Sequence, residues 1–153
     1  VGHTIAVLLQ AGGIPFTAFD TDPKRVAQGK TDGHPVAFGD ISDAELLSTI
    51  RTDRASLVVI TVDDFTAALR AISNLRRTCA QVPVIARARD LEMSKRLLDA
   101  GAIHAYPETI EASLRLGAMA LQILHIPSTE IEQVVQDVRD WDYKPVLEDE
   151  VRE

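Results

Sequence analysis

A glycine at the head of an apolar helix and an aspartate at the tip of the strand behind it constrain this chain more than any other feature. Gly2 to Leu9 reads as a helix opened by glycine, Gly12-Gly13 as its stop, and Ile14 to Asp20 as a strand ending in an acid ahead of Thr21-Asp22-Pro23. In the βαβ units that hold nucleotides, the third glycine of a Gly-x-Gly-x-x-Gly run sits in the first helical turn. The acid that accepts the ribose hydroxyls follows about 20 residues later. Gly2 and Asp20 stand close to that spacing. The strand and Gly-x-Gly turn that would precede Gly2 are not in the sequence, so the expectation is of such a unit entered part-way.

The rest of the chain alternates in the same sense. Asp22-Pro23 reads as an N-cap with proline at the first helical position, leading a helix over 24–30. Val36-Ala37-Phe38 is a short strand that stops at Gly39-Asp40. Ser42 reads as the cap of a helix carrying Leu46, Leu47 and Ile50, with Glu45 in the capping-box position. Leu57 to Val62 is an unbroken apolar run of the kind buried on both faces of a parallel sheet, and it ends in Asp63-Asp64. A helix over 65–77 follows, then a strand over 82–86 ending at Arg87-Ala88-Arg89-Asp90, a helix over 91–100 closed by Gly101, a strand over 103–106 and a long helix to about Ile126.

Strands alternating with helices, with polar residues after the strands, predict an α/β fold. The expected form is a doubly wound, mainly parallel, Rossmann-like sheet with helices on both faces, its first strand missing from this sequence. In the strand order 3-2-1-4-5-6 the missing strand is central, so the remaining strands should fall into two halves that cannot pair. The nucleotide-binding domain is expected over 1–126. Beyond it, Ser128-Thr129-Glu130 caps a helix whose Ile131, Val134, Val135 and Val138 form one apolar face, which needs either its own domain or a second subunit. Residues 127–153 are therefore expected to be a C-terminal helix and acidic tail that can dimerise, with Trp141-Asp142-Tyr143 and Glu148 to Glu153 leaving the domain.

A length of 153 residues with 46% apolar composition is enough for one α/β core. A formal charge of −7 argues against nucleic acid and against a polybasic membrane-surface role. The longest apolar candidate for a membrane span is broken by Arg115. A single cysteine, Cys79, allows no internal disulfide and fits a reducing compartment. The four histidines, His3, His34, His104 and His125, lie in separate segments without metal-ligand spacing, and neither a Gly-x-Ser-x-Gly elbow nor a Walker lysine motif occurs. No metal site and no catalytic residue is expected.

Three segments carry a resemblance to a known family: Val36-Ala37-Phe38-Gly39-Asp40, Ile85-Ala86-Arg87-Ala88-Arg89-Asp90, and Pro107-Glu108-Thr109-Ile110-Glu111-Ala112-Ser113-Leu114. From Gly2 to about Leu124 the chain resembles the RCK or KTN (TrkA-N type) nucleotide-binding domain of Kef-type bacterial potassium:proton antiporters. The resemblance implies a cytoplasmic regulatory domain, a homodimer, attached to an inner-membrane antiporter domain of the same polypeptide. It implies NAD(H) or AMP/ATP as a regulatory ligand, with Asp20 on the adenosine ribose, Asp40 beside the adenine and the turn containing Gly2 under the phosphates. The expected binding residues are Gly2, Asp20, Thr21, Asp22, Gly39, Asp40, Asp63 and Arg87.

Read from the residues alone, Asp22 is also a helix cap, and Asp63-Asp64 an N-cap and first-turn acid. Arg87 and Arg89 point the same way from one strand, toward phosphates or toward an acidic neighbour. Kef members gated by glutathione use basic residues at positions that appear here as Val7 and Pro107, neither of which can hold a carboxylate. The rival readings are a truncated NAD-dependent dehydrogenase and a dimerisation module with an empty pocket.

Overall fold

The computed structural model describes residues 1–147. By compactness the chain forms two units, Val1–Pro107 and a second beginning at Glu108. This division falls earlier than residue 126, where the change in composition lies.

In the first unit, helix α1 (Gly2–Ala11) leads to strand β1 (Ala18–Asp20), and helix α2 (Pro23–Thr31) to strand β2 (Val36–Phe38). The Asp22 carboxylate accepts the Lys24 N–H with Pro23 at the first helical position, as the sequence predicts. Helix α3 (Ala44–Thr49) is capped by Asp43, whose side chain accepts the Glu45 N–H. Ser42, expected as the cap, instead hydrogen-bonds back to Asp40 through both its N–H and its hydroxyl. Two acids either side of a serine give the loop two Asx turns, and the later one starts the helix.

Strand β3 (Val58–Ile60), helix α4 (Phe65–Thr78), strand β4 (Val84–Ala88), helix α5 (Leu91–Asp99) and strand β5 (His104–Pro107) complete this unit. The expected strand over 82–86 is displaced by two residues. Pro83 has no N–H to give to a ladder, whereas Ala86, Arg87 and Ala88 pair with Ala105, Tyr106 and Pro107. Arg87 is therefore inside the strand. The α5 helix ends with Gly101 at φ +117°, where its N–H reaches Leu98 O and that of Ala102 reaches Leu97 O. A Cβ at Gly101 would also stand 2.6 Å from Arg76 Cγ, so both conformation and space require glycine here.

All strand pairs are parallel: β1 with β2 in one sheet, and β3-β4-β5 in that order in another. No ladder joins the two sheets among the described residues, which is the split that the sequence predicts. The halves differ in burial. Ile60, Ile72, Leu75, Val84 and Leu97 are fully buried between the three-stranded sheet and α4 and α5, while β1 and β2 contribute no fully buried residue. The larger sheet is the core. Leu75→Ala, which empties a site closed on all sides, should lower stability by about 2–5 kcal/mol in urea titration.

In the second unit, helix α6 (Glu108–Ile123) turns back through His125 in the left-handed region (φ +63°) into helix α7 (Ser128–Asp140). A short helix α8 (Lys144–Leu147) follows. Glu111, 4% exposed, faces the last turn of α7. Arg139 donates to its two oxygens at 2.9 and 2.6 Å, and Tyr143 Oη donates at 2.6 Å. Trp141-Asp142-Tyr143 was expected to leave the domain; Tyr143 folds back instead, because the buried carboxylate needs a further donor. Residues Glu148 to Glu153 lie outside the described residues.

The bonded Arg139 guanidinium holds the Glu111 carboxyl below its ordinary range, with Tyr143 helping and burial opposing. A depressed carboxyl stabilises the fold above its unfolded value, and that stabilisation disappears as pH falls through the lower folded value. Glu111→Gln should therefore cost about 1 kcal/mol near neutral pH, Arg139 being partly solvated. Denaturant titration should show the deficit vanishing in acid.

Candidate functional site

The carboxyl ends of β1 and β2 carry the acids that the sequence singled out. These strands pair with Asp20 opposite Phe38, and the Gly39 N–H continues the ladder to Asp20 O at 3.0 Å, which brings Asp40 beside the tip of β1. Gly39 is required by packing, since a Cβ would lie 2.7 Å from Leu46 Cδ2 and 3.1 Å from Phe19 Cδ1. Asp40 Oδ1 accepts the Ser42 N–H at 2.8 Å and its hydroxyl at 2.7 Å. These bonds, the hydroxyl first, hold its carboxyl below the usual range. The loop is tied to the core through Asn74 of α4, a buried side chain whose Nδ2 donates to Ser42 O at 3.0 Å. Sequence reasoning missed Asn74, because nothing in an amphipathic helix marks which polar residue reaches a distant carbonyl.

Asp20 is fully engaged. Arg25, in the first turn of α2, donates to it through Nε at 2.8 Å and Nη2 at 2.9 Å, and the Asp22 N–H adds a bond at 2.8 Å. The Arg25 guanidinium is the main cause of a carboxyl pKa below the ordinary value, and partial burial opposes it. Arg25 also lies 3.8 Å from Asp22 Oδ2. Thr21 is exposed beside them.

A second group stands at the ends of β3 and β4. A Cβ on Gly2 would lie 3.2 Å from Thr61 Oγ1, which sets the start of α1 against the end of β3. Arg87 donates to Thr61 O at 3.3 Å and pairs with the exposed Asp63. Asp64, not Asp63, caps α4, accepting the Ala67 N–H at 3.0 Å. A hollow of about 60 Å³ opens here, with Asp63, Phe65, Arg87, Arg89 and Met93 among its walls. Asp20 and Asp40 are not among its lining residues. The two groups are electrostatically joined through Arg25, whose charge is favoured by Asp20, Asp22 and, more weakly, Asp63.

The histidines are less scattered than their spacing implies. His3 and His34 meet edge to face with centroids 5.3 Å apart, and His3 Nδ1 is 3.9 Å from Asp32 Oδ2. The ligand atoms of these three residues lie within 4.8 Å of one another. Ligand atoms this near one another could hold a metal ion, which the spacing of these residues along the sequence does not anticipate. Among the described residues no helix is long and apolar enough to cross a membrane.

This geometry, acids and a close-packed glycine at the carboxyl ends of parallel strands, defines a Rossmann-like domain. The TrkA-N domain family matches residues 1–107, the whole of the first compact unit, and the chain belongs to that family. It is 34% identical over 139 residues to the putative K(+) efflux antiporter KefB of Alkalimonas amylolytica. The match covers 91% of this chain and 21% of that relative, so the chain spans about a fifth of its length. Among solved structures, the AMP-bound Kef CTD of Shewanella denitrificans superposes with a TM-score of 0.78 at 26% identity. It covers 96% of this chain and 89% of that one. The NAD-bound GsuK channel shares the fold, with a TM-score of 0.70 at 21% identity, over 77% of this chain and 21% of that one.

Replacing Asn74 by Ala should leave the Ser42 carbonyl without its partner and cost about 1–3 kcal/mol. Amide exchange should show the loop over 40–43 opening more often than the β3–β5 sheet.

Proposed function

We propose that this chain is the ligand-sensing regulatory domain of a potassium:proton antiporter and binds an adenine nucleotide, NAD(H) or AMP/ATP. Its place would be the cytoplasmic face of the membrane that holds the transporter. The observation that carries this reading is the placement of Asp20 and Asp40 at the tips of two adjacent parallel strands. A carboxylate there can accept both hydroxyls of a ribose, and the neighbouring acid can accept from the adenine amine. Gly2 and the start of α1 offer backbone N–H groups to phosphate. Asp63 and Arg87 stand at the far side of the same edge, where Arg87 can turn from Asp63 to an anion. Thr21, Asp22 and Gly39 shape the ribose side. The likeness to an AMP-bound Kef domain supports the ligand class.

In this reading the nucleotide is sensed, not consumed. It would favour one arrangement of domains and pass that preference to the transmembrane part of the same polypeptide as a coupling free energy. Val7 and Pro107, apolar where glutathione would need cations, argue against regulation by that ligand.

A second copy is the expected partner. The apolar face of α7 is partly covered, with Ile131 buried, Val135 and Val138 half-buried and Val134 exposed. The uncovered apolar surface is on α6, where Leu116, Met119 and Ile123 are exposed. We propose α6, with the larger exposed apolar surface, as the dimer contact in place of the α7 helix that the sequence suggests. Light scattering on Leu116→Asp with Ile123→Asp should give monomers, whereas Val134→Asp should leave the dimer intact.

Calorimetric titration of the intact protein with AMP, ATP, NAD and NADH tests the ligand. Binding of one of them, weakened at least about tenfold by Asp20→Ala, is the expected outcome. Binding that ignores Asp20 would move the ligand elsewhere, and hydride transfer to a substrate would replace the sensor by an enzyme.

A further inference from the structure

Arg25 has no role in the reading so far, yet it occupies the carboxylate on which that reading depends. Its guanidinium grips both Asp20 oxygens, lies 3.8 Å from Asp22 and is reached by the field of Asp63. The side chain is 64% exposed, so solutes can reach the pair. An exposed ion pair of this kind contributes little to stability. Its position matters more. Strand-tip acids of this fold take a ribose with a free 2′-hydroxyl, whereas an arginine nearby accommodates a 2′-phosphate. Here both devices are present, and each occupies the other.

We propose that the Asp20–Arg25 pair sets the ribose specificity of the site, with Arg25 a 2′-phosphate ligand held in check by Asp20. The inference rests on the nucleotide reading above. Two carboxylates, Asp20 and Asp22, on one guanidinium leave the neighbourhood net negative, so a 2′-phosphate dianion is repelled and a neutral diol is accepted. A diol enters by exchanging with the guanidinium on Asp20, which makes Arg25 a competitor of the ribose. Once the charge at position 20 is removed, the planar fork of Arg25 is released, and that fork matches a phosphate in two-point geometry. The preference of the site should then invert.

Two probes isolate the 2′ position: 5′-AMP and adenosine 2′,5′-bisphosphate, which share the base and the 5′-phosphate. Titrated calorimetrically, the intact protein should prefer 5′-AMP by about tenfold or more. Asp20→Asn should prefer the bisphosphate by a similar factor, and Asp20→Asn with Arg25→Ala should lose that preference. Arg25→Lys in the Asp20→Asn background, keeping charge but not the fork, should retain only part of it. Arg25→Ala alone should bind 5′-AMP about two- to fivefold more tightly, because the competitor is gone.

An Asp20→Asn protein that still prefers 5′-AMP, a double variant that still prefers the bisphosphate, or weaker 5′-AMP binding after Arg25→Ala would each overturn the proposal while leaving nucleotide sensing intact. If the unaltered protein binds neither probe nor any other adenine nucleotide, the sensor reading fails and this inference fails with it.

Discussion

The structure depends on one buried ladder. Strand β4 is hydrogen-bonded to β3 on one side and β5 on the other, and its Val84, Ala86 and Ala88 are closed over by the helices that follow each strand. Parallel strands bury well only when helices cover them, and α4 and α5 supply that cover with Ile72, Leu75 and Leu97. From this half of the unit the rest takes its position. Asn74 reaches from α4 to hold the loop that presents Asp40. Arg87 projects from the uncovered face of β4 toward Asp63.

The other half of the unit is held differently. The two short strands β1 and β2 bury little, and local polar contacts fix their tips: Asp22 on Lys24, Asp40 on Ser42, and Arg25 on Asp20. A site built of such contacts can rearrange at small cost, because each bond is exposed or half-exposed and has water or ligand as an alternative. That property would suit the sensing role proposed above, since a ligand can shift an equilibrium only by its differential affinity for two states of similar energy. The buried sheet and the polar strand tips are thus held by different forces. The chain's membership in the TrkA-N family and its likeness to potassium antiporter domains fit that division.

Much of this was legible beforehand where the signal is local. The cap at Asp22 with Pro23, the glycine stop at Gly101 and the apolar run centred on Val58 to Ile60 follow from backbone sterics and hydropathy, and each is found in place. Elsewhere the local signal was ambiguous and a distant partner decided. Ser42 looks like a cap as much as Asp43 does, and the pull of Asp40 settled which one caps. Strand β4 shifted because Pro83 cannot donate and β5 offers partners farther along. Tyr143 reads as part of a polar tail until Glu111, 32 residues earlier, is seen to need its hydroxyl.

The sequence by itself determined the order and type of the elements, the parallel α/β class and the acids at the strand ends, because periodicity and turn chemistry act over a few residues. It also determined that β1 and β2 would stand apart from β3 to β5, since strand order in this fold leaves them no common edge. Only the tertiary structure decided what those acids touch. That Asp20 is held by Arg25, that Asp63 meets Arg87, that Ile131 of α7 is buried and that Leu116, Met119 and Ile123 of α6 are left exposed are all matters of approach between elements. Such approaches are set by packing summed over the whole core, and no window of the sequence contains that sum.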